Sequence, residues 1–346
     1  MMDDEKKKVL IGMTLAQLKQ VVGQMGMPSF TAIQIAKWIY QKGVADIDSM
    51  TDISKSNRMA LSDKYIVGAM PPEMSQTSSD GTKKYLFPTS SGKHVETVFI
   101  PDGDRATLCL SSQVGCKMNC LFCQTGKQGF EGNLTAGDIL NQIMQLPERE
   151  RLTNIVYMGQ GEPLDNLEAC LTSSEILTSN YGWQWSPKRI TISTVGIKGR
   201  LKRLLDESSC HIAISMHSAS PDIRQSLMPA EKAYSISDIV ALLKEYDFSH
   251  QRRVSFEYIM FKGINDTLSD GRSIVSLLKG LECRVNLIKF HSIPGVSLES
   301  SDYNTMESFR NYLTSKGIIS TIRKSRGEDI LAACGLLTTA NKAKTP

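Results

Sequence analysis

The sequence has no run of apolar residues that approaches the ~18 needed for a membrane-spanning helix. Its first apolar stretch is also too short for the core of a signal peptide. Eight cysteines in 346 residues are too few for a secreted fold held by disulfides. With 41% hydrophobic and 22% charged residues, a wholly disordered or fibrous protein is excluded. We therefore expect a globular, cytoplasmic protein with no membrane partner, in which clustered cysteines more often bind a metal than form disulfides.

The length favours either two units or one barrel-sized core. From about residue 13 to 70 the pattern is helical, with Thr14 capping a first helix that Gly26 and Pro28 end. Two further helices follow, and the polar stretch 71–81 is typical of a linker. We expect an all-helical accessory domain over residues 1–80 and a second domain over residues 81–346.

The second domain begins with two strand-like segments, KKYLFP and HVETVFIP, that could form a hairpin. After them, six β-rich segments alternate with stretches long enough for crossover helices. This alternation predicts an α/β fold with a parallel sheet, but it does not distinguish a partial barrel from an open, doubly wound sheet. The six predicted strands are residues 106–110, 154–158, 189–193, 211–216, 253–260 and 284–290.

Three cysteines stand close together directly after the first of these strands. Cys116, Cys120 and Cys123 have the spacing C-x3-C-x2-C, which lets one loop wrap a single metal centre. A structural zinc site would need a fourth ligand, and no partnering cysteine or histidine is nearby. Three cysteines suit a four-iron cluster better, because they leave one iron open to a substrate or cofactor. The spacing thus favours an iron–sulfur cluster and leaves zinc as the alternative.

The motif, with Phe122 just before its last cysteine, resembles the signature of radical S-adenosylmethionine (SAM) enzymes. The resemblance implies a [4Fe-4S] cluster whose open iron chelates the amino and carboxylate groups of SAM. It also implies reductive cleavage of SAM to a 5′-deoxyadenosyl radical. The fold that it implies is a partial (β/α)6 radical-SAM barrel, here joined to a small N-terminal all-helical domain.

Three blocks resemble the RlmN family more closely: GCKMNCLFCQTGKQGFEGNLTAGDILNQI, YMGQGEPLDN and RKSRGEDILAACG. Members of this family methylate C2 of an adenine in 23S rRNA and in tRNA. The resemblance implies both RNAs as partners, an electron donor such as flavodoxin or ferredoxin, a monomeric enzyme, and an accessory domain that binds RNA.

The resemblance also implies a set of SAM contacts. In the GEP block, Gly161 and Glu162 would hold the amino group of SAM, and Gln160 stands where the family more often has methionine. All but one of the remaining contacts end predicted strands, where parallel barrels place their sites, and Asn286 lies within the last predicted strand. They are Ser193, Ser215, Met216, His217 and Asn286.

Two further cysteines carry the family's distinctive chemistry. Adenine C2 is electron-poor, so a direct polar methyl transfer to it is costly. The resemblance implies that Cys334 first accepts a methyl group from one SAM and that a second SAM supplies a radical, giving two SAM per turnover. Cys109 would resolve the protein–RNA adduct through a transient disulfide, and Glu96 would be the base for the C2 proton. Without the resemblance, each of these residues would be interpreted as structural.

Two alternatives remain open at this point. A relative of the Cfr type methylates C8 of the same adenine and confers antibiotic resistance, although Pro163 and the RKSRGED block resemble the C2 group. A non-enzymatic RNA-binding protein with a metal-stabilised loop belongs to a different class and leaves Cys109 and Cys334 without a role. A simple dithiol redox protein lacks a thioredoxin-like context.

Contacts with RNA are expected from local charge, because the net charge is only +4. Two stretches, residues 187–203 and 310–346, are rich in lysine and arginine. Such stretches are usually solvated surface, but phosphate binding is favoured beside an active-site mouth, as expected for Arg323, Lys324 and Arg326. The target base must leave its stack to reach a buried site.

Overall fold

The computed structural model describes residues 7–249 and 252–339. The outer ends of both predicted domains and the basic stretch beyond residue 339 lie outside these ranges. No helix in the described ranges is long and apolar enough to cross a membrane.

The N-terminal module is mainly helical, as its periodicity predicts. Thr14 and Gln17 form a capping box at the start of the first helix, where the Thr14 hydroxyl accepts from the Gln17 backbone N–H and the Gln17 side chain accepts from that of Thr14. The helices are α1 (Leu15–Gln24), α2 (Thr31–Ala36), which continues as a π-helical turn (Lys37–Gln41), and α3 (Lys55–Lys64). One short parallel pair, β1 (Lys8–Val9) with β2 (Tyr65–Ile66), joins the two ends of the module. Pairs of two residues carry no periodic signal, so the sequence predicts helices alone.

Ten strands form the main sheet in the described part of the chain, in the order β14-β13-β12-β11-β10-β9-β6-β5-β4-β3. From β6 to β14 neighbouring strands are parallel, and the edge from β6 to β3 is antiparallel. The strands are β3 (Met74–Thr77), β4 (Lys83–Pro88), β5 (His94–Asp102), β6 (Arg105–Cys109), β9 (Asn154–Tyr157), β10 (Ile190–Thr194), β11 (His211–Ser215), β12 (Val254–Met260), β13 (Arg284–Lys289) and β14 (Ile319–Ile322).

The sheet confirms the predicted hairpin and all six predicted parallel strands. The predicted linker at residues 71–81 is wrong in one respect, since β3 lies within it. All four residues of β3 are exposed at the sheet edge, so no apolar alternation marks this strand in the sequence. The seventh parallel strand, β14, was also unpredicted. It has no fully buried residue.

A separate antiparallel pair, β7 (Gln113–Gly115) with β8 (Phe130–Asn133), brackets the cysteine motif and the short helix α4 (Gln124–Gln128). The crossover helices pack against the sheet through apolar faces. Three of them, α5, α6 and α9, lie in stretches between the predicted strands that are long enough for crossover helices. The helices after α4 are α5 (Ala136–Met144), α6 (Leu167–Thr178), α7 (Arg200–Glu207), α8 (Pro221–Leu227), α9 (Ile236–Leu243), α10 (Leu268–Leu278) and α11 (Tyr303–Ser315).

Candidate active site

The three cysteines of the C-x3-C-x2-C motif lie in the loop between β7 and α4. Backbone hydrogen bonds fix this loop, with Cys116 N donating to Gly129 O (3.0 Å) and Leu121 N donating to Leu227 O (2.9 Å). Gly115 has a φ of +71°, and a Cβ there would lie 1.7 Å from the Gly129 carbonyl oxygen. Glycine is therefore required where β7 enters the loop.

The donor set fits an iron–sulfur cluster. Burial raises the pKa of the Cys116 thiol to about 12 and that of Cys120 well above its usual range, so thiolates here need the positive charge of a metal centre. In residues 7–249 and 252–339, no three or more His, Cys, Asp or Glu side chains are placed to share one metal ion. A structural zinc site would need a fourth protein ligand, whereas a four-iron cluster takes three cysteines on separate irons. Cys116, Cys120 and Cys123 would hold such a cluster and leave one iron open.

The GEP turn follows β9 and is fixed by Glu162. The buried carboxylate of Glu162 accepts hydrogen bonds from the Thr194 hydroxyl (2.5 Å) and the Val195 backbone N–H (3.0 Å) at the end of β10. Burial raises the pKa of Glu162 to about 7 despite these donors. Gly161 has a φ of +100°, and a Cβ there would lie 2.5 Å from the Cβ of Gln113 on β7. Internal contacts therefore already occupy much of the Glu162 carboxylate.

A cavity of about 150 Å³, here called the cofactor cavity, opens at the carboxyl ends of the parallel strands. Its walls come from the cysteine loop, the GEP turn and residues at or just beyond the ends of β9 to β14, so the sheet curves around it as a partial barrel. Five of the predicted SAM contacts line it: Gly161, Glu162, Ser193, Ser215 and His217. These residues would hold SAM beside the cluster.

The other two predicted SAM contacts, Met216 and Asn286, do not line the cofactor cavity. Met216 is fully buried. The Asn286 side chain donates to Glu257 Oε1 (2.7 Å) and accepts from the Thr321 hydroxyl (2.9 Å). A role for either residue in binding SAM stays a prediction.

His217 links the cysteine loop to the strands. Its backbone is left-handed, with φ +53°, and its Nδ1 accepts from the Ile259 backbone N–H (3.0 Å). The ring meets Phe122 edge-on at 4.7 Å between ring centres. Burial lowers the pKa of His217 to about 3, so the imidazole is neutral at physiological pH.

Arg224 on α8 is a fully buried cation that binds the backbone at the ends of β10 and β11. Its guanidinium donates to the carbonyl oxygens of Val195 (2.9 Å), Ser215 (3.0 Å) and Met216 (3.1 Å) and pairs with the carboxylate of Glu231. These bonds hold β10 and β11 together where they form the cavity wall. The sequence does not reveal this role, because an arginine in a short helix normally faces solvent.

A second cavity, of about 280 Å³, lies beside the first and is here called the thiol cavity. Cys109, at the end of β6, and Cys334, in the segment after β14, both line it. Cys334 also lines the cofactor cavity. Cys109 is buried, while Cys334 sits deep in the molecule but is open to solvent through the cavities. Burial raises the pKa of Cys109 to about 12 and also raises that of Cys334, and the positive charge of Arg323 acts in the opposite direction on both.

Arg323 borders both cavities. The sequence suggests it only as a phosphate contact, yet its Nη1 lies 3.2 Å from Oε2 of Glu257 on β12. Glu257 is itself buried and was missed by sequence reasoning. The available signal was a single carboxylate within the apolar strand VSFEYIM, since buried charges in strands are nearly always paired.

Glu96 does not line the thiol cavity. It lies on a neighbouring cavity with Lys84, whose Nζ is 3.0 Å from the Glu96 carboxylate. The same carboxylate accepts from the Thr338 backbone N–H (2.9 Å), so it is joined to the segment that carries Cys334. Burial raises the pKa of Glu96, and Lys84 lowers it. The role of Glu96 as a base stays a prediction.

The mouth of the thiol cavity is basic, as the sequence predicts for this stretch. Lys324 and Arg326 line it together with Arg105 and His291. One of these charges is neutralised, because Arg326 Nη2 lies 2.5 Å from a carboxylate oxygen of Asp102. Of the cysteines without an expected role, Cys170 and Cys210 are buried and Cys283 is half-buried.

Two family models match the chain. Residues 110–268 match the radical SAM superfamily, and residues 9–67 match the N-terminal domain of the ribosomal RNA large subunit methyltransferase. The second match covers the helical module, which is therefore similar to the N-terminal domain of that methyltransferase.

Curated relatives extend the similarity to nearly the whole chain. A probable dual-specificity RNA methyltransferase RlmN from Phocaeicola vulgatus is 59% identical over 98% of this chain and 97% of its own length. A dual-specificity RNA methyltransferase RlmN from Bradyrhizobium is 41% identical over 96% of this chain and 88% of its own.

A solved structure agrees with the sequence relatives. The crystal structure of a radical SAM methyltransferase from Sphaerobacter thermophilus superposes with a TM-score of 0.89 at 38% identity, covering 95% of this chain and 99% of that one. Together with the cysteine triad, the GEP turn and the two cysteines that line the thiol cavity, these similarities show that the chain belongs to the RlmN family of radical SAM methyltransferases.

Proposed function

We propose that this enzyme methylates C2 of an adenine in 23S rRNA and in tRNA. The observation that carries the proposal is the position of Cys334, which borders the cofactor cavity on one side and the thiol cavity with Cys109 on the other. A thiol in this position can accept a methyl group from a bound cofactor and present it to a base in the neighbouring space. The RlmN relatives, whose names specify dual-specificity RNA methylation, support the substrate class.

The thiols of Cys334 and Cys109 have different roles in this proposal. When bound, the [4Fe-4S] cluster and SAM supply the methyl group and, from a second SAM, the radical that takes a hydrogen atom from it. Cys334 carries the carbon on its sulfur and delivers it to C2 of the adenine. The adduct loses one electron, which the oxidised cluster would take back, and its C2 proton. The Cys109 thiolate then attacks the Cys334 sulfur. As the carbon–sulfur bond breaks, its electron pair stays on the CH2 carbon, which takes up a proton to become the methyl group. Methylated RNA leaves, and the Cys109–Cys334 disulfide must be reduced by two electrons before the next turnover.

Electrostatics at the mouth support an RNA substrate. Arg105 and Lys324 line the thiol cavity, where cations would bind the phosphates that flank an extruded base. A local patch of this kind suits a chain whose net charge is only +4. We infer that the enzyme acts as a cytoplasmic monomer, that its helical module adds RNA contacts, and that a small electron carrier such as flavodoxin or ferredoxin reduces the cluster.

The rival function is methylation at C8 by the Cfr-type mechanism, which uses the same two cysteines. Mass spectrometry of nucleosides distinguishes the two. Reconstituted enzyme, SAM, a reductant and either 23S rRNA fragments or tRNA should yield 2-methyladenosine from both RNAs. A product of 8-methyladenosine would overturn the C2 proposal. A colourless protein that holds one zinc ion after anaerobic reconstitution would overturn the enzymatic proposal altogether.

A further inference from the structure

The short helix α4 begins directly after Cys123, the last of the three cluster cysteines, and contacts the segment that carries Cys334. We propose that Thr125 and Gln128 on α4 are positioning residues that seat Cys334 between the two cavities. The effect of this positioning on catalysis rests on the proposed function, but the contacts from which we infer the positioning are features of the fold.

Two hydrogen bonds join the first turn of α4 to the segment just after Cys334. The Gln124 backbone N–H donates to the Gly335 carbonyl (2.7 Å). The Thr125 hydroxyl donates to the Leu337 carbonyl (2.7 Å). Both Thr125 and Leu337 are buried, so this bond is sheltered from water and its loss would leave the Leu337 carbonyl without that donor.

Gln128 makes the largest number of these contacts. Its Oε1 accepts from the Thr338 hydroxyl (3.0 Å) and the Thr339 backbone N–H (3.0 Å), and its Nε2 donates to the Thr339 hydroxyl (2.7 Å). Gln160 of the GEP block donates to the same Oε1 at 3.3 Å. One amide therefore connects the Cys334 segment both to the cluster loop and to the turn that lines the cofactor cavity.

The segment after Cys334 is irregular and forms a partition between the thiol cavity and the cavity of Glu96, so it needs this attachment. From residue 335 to 338 the lined cavity alternates: Gly335 and Leu337, like Cys334, line the thiol cavity, while Leu336 and Thr338 line the cavity of Glu96. No helix or strand of its own holds these residues in place. Its geometry thus depends on side chains supplied by α4 and by β5, and a shift of the partition would move Cys334 relative to both cavities.

The experiment compares Thr125→Val and Gln128→Ala with the wild type, all as reconstituted holoenzymes. Hydrogen exchange measured by mass spectrometry should be roughly tenfold faster at residues 335–339 in each variant, because one or more anchoring bonds are gone. Methyl loading of Cys334 from SAM in a single turnover, followed by peptide mass, should be slower to a similar degree. Cluster absorbance should equal that of the wild type.

Two control variants distinguish a structural effect from a positioning effect. Thr125→Ser retains the hydroxyl and should restore both readouts, whereas Gln20→Ala, on an exposed face of α1, should change neither. Unchanged exchange at residues 335–339 in both Thr125→Val and Gln128→Ala would overturn the proposal, as would normal methyl loading. A wild type that never loads a methyl group onto Cys334 would instead overturn the proposed function, and the exchange data would still decide the positioning role.

Discussion

Arg323 and Glu257 form an ion pair, with 3.2 Å between Nη1 and Oε2, at the point where the cofactor and thiol cavities meet. The backbone N–H of Arg323 also donates to the Leu287 carbonyl (2.9 Å), which fixes the residue at the end of β14. The guanidinium is thus held as a permanent positive charge near both Cys109 and Cys334. Burial disfavours both thiolates, and this charge is the largest of the influences that lower the pKa of the two thiols.

Replacing Arg323 should therefore change the pH dependence of Cys334. A thiolate reacts with iodoacetamide and a thiol does not, so the rate of alkylation rises with pH until the thiol has ionised. In Arg323→Met the pKa of Cys334 should be higher, and the whole profile should move to higher pH. Alkylation of Cys334, followed by peptide mass between pH 7 and 10, measures this shift. Arg310→Met on α11 is the matched control, and a profile identical to that of the wild type would contradict the role given to Arg323.

Cys334→Ala should abolish RNA methylation while leaving the cluster intact. The substitution removes the proposed methyl carrier but none of the three cysteines that would hold the cluster. Nucleoside mass spectrometry should find no methyladenosine, and 5′-deoxyadenosine should still form when the cluster is reduced in the presence of SAM. Cys283→Ala, at a half-buried cysteine with no expected role, should behave like the wild type. Methylated RNA from Cys334→Ala would rule out the carrier role.

Cys109→Ala should trap RNA covalently on the enzyme. Without the resolving thiol, the bond between the Cys334 sulfur and the transferred carbon has no intramolecular nucleophile to break it. A slowly migrating protein–RNA species should accumulate on denaturing gels and disappear on nuclease treatment. The double variant Cys109→Ala/Cys334→Ala cannot form the adduct and serves as the control. Free methylated RNA at the wild-type rate from the single variant would argue against a resolving role.

Gln160→Met should lower stability more than it lowers activity. Gln160 is buried, and its Oε1 accepts from the Glu96 backbone N–H (2.9 Å) while its Nε2 donates to Gln128. Methionine fills a similar volume but leaves that buried N–H unpaired, which costs about 1–3 kcal/mol. Urea unfolding should report this loss, and the product should remain 2-methyladenosine. Gln20→Met is the exposed control, and an unchanged unfolding free energy would show that the N–H finds another acceptor.

The sequence predicts the sheet well where strands are long and apolar. Strand β12, VSFEYIM, is recognisable from its own residues, and so is the helix α5 behind its Thr135 cap. Strand β3 is not recognisable, because it is exposed and depends on pairing with β4. Curvature of the sheet into a partial barrel came only from the family resemblance, since alternation of strands and helices is the same in open sheets.

The residues of the candidate site also fall into those that the sequence predicts and those that it does not. The cysteine motif and the GEP turn are local in sequence, so both were predicted. Partners that meet only through tertiary packing were not: the Arg224–Glu231 pair behind the strand ends, the Glu257 carboxylate facing Arg323, and Gln128 beneath the Cys334 segment. A single side chain gives no periodic signal, and its partner lies on another element at a distance that only the folded chain defines.

Cys334 borders both the cofactor cavity and the thiol cavity, and this location has a consequence for the fate of an isotopic label on the methyl group. In the proposed mechanism, a methyl group on its sulfur is carried from the bound cofactor to the RNA while it stays covalently attached to the protein. Label introduced on the methyl group of SAM should therefore reach the RNA undiluted by unlabelled methyl donors added after loading. Under the proposed function, Cys334 would make the enzyme its own methyl reservoir of a single equivalent.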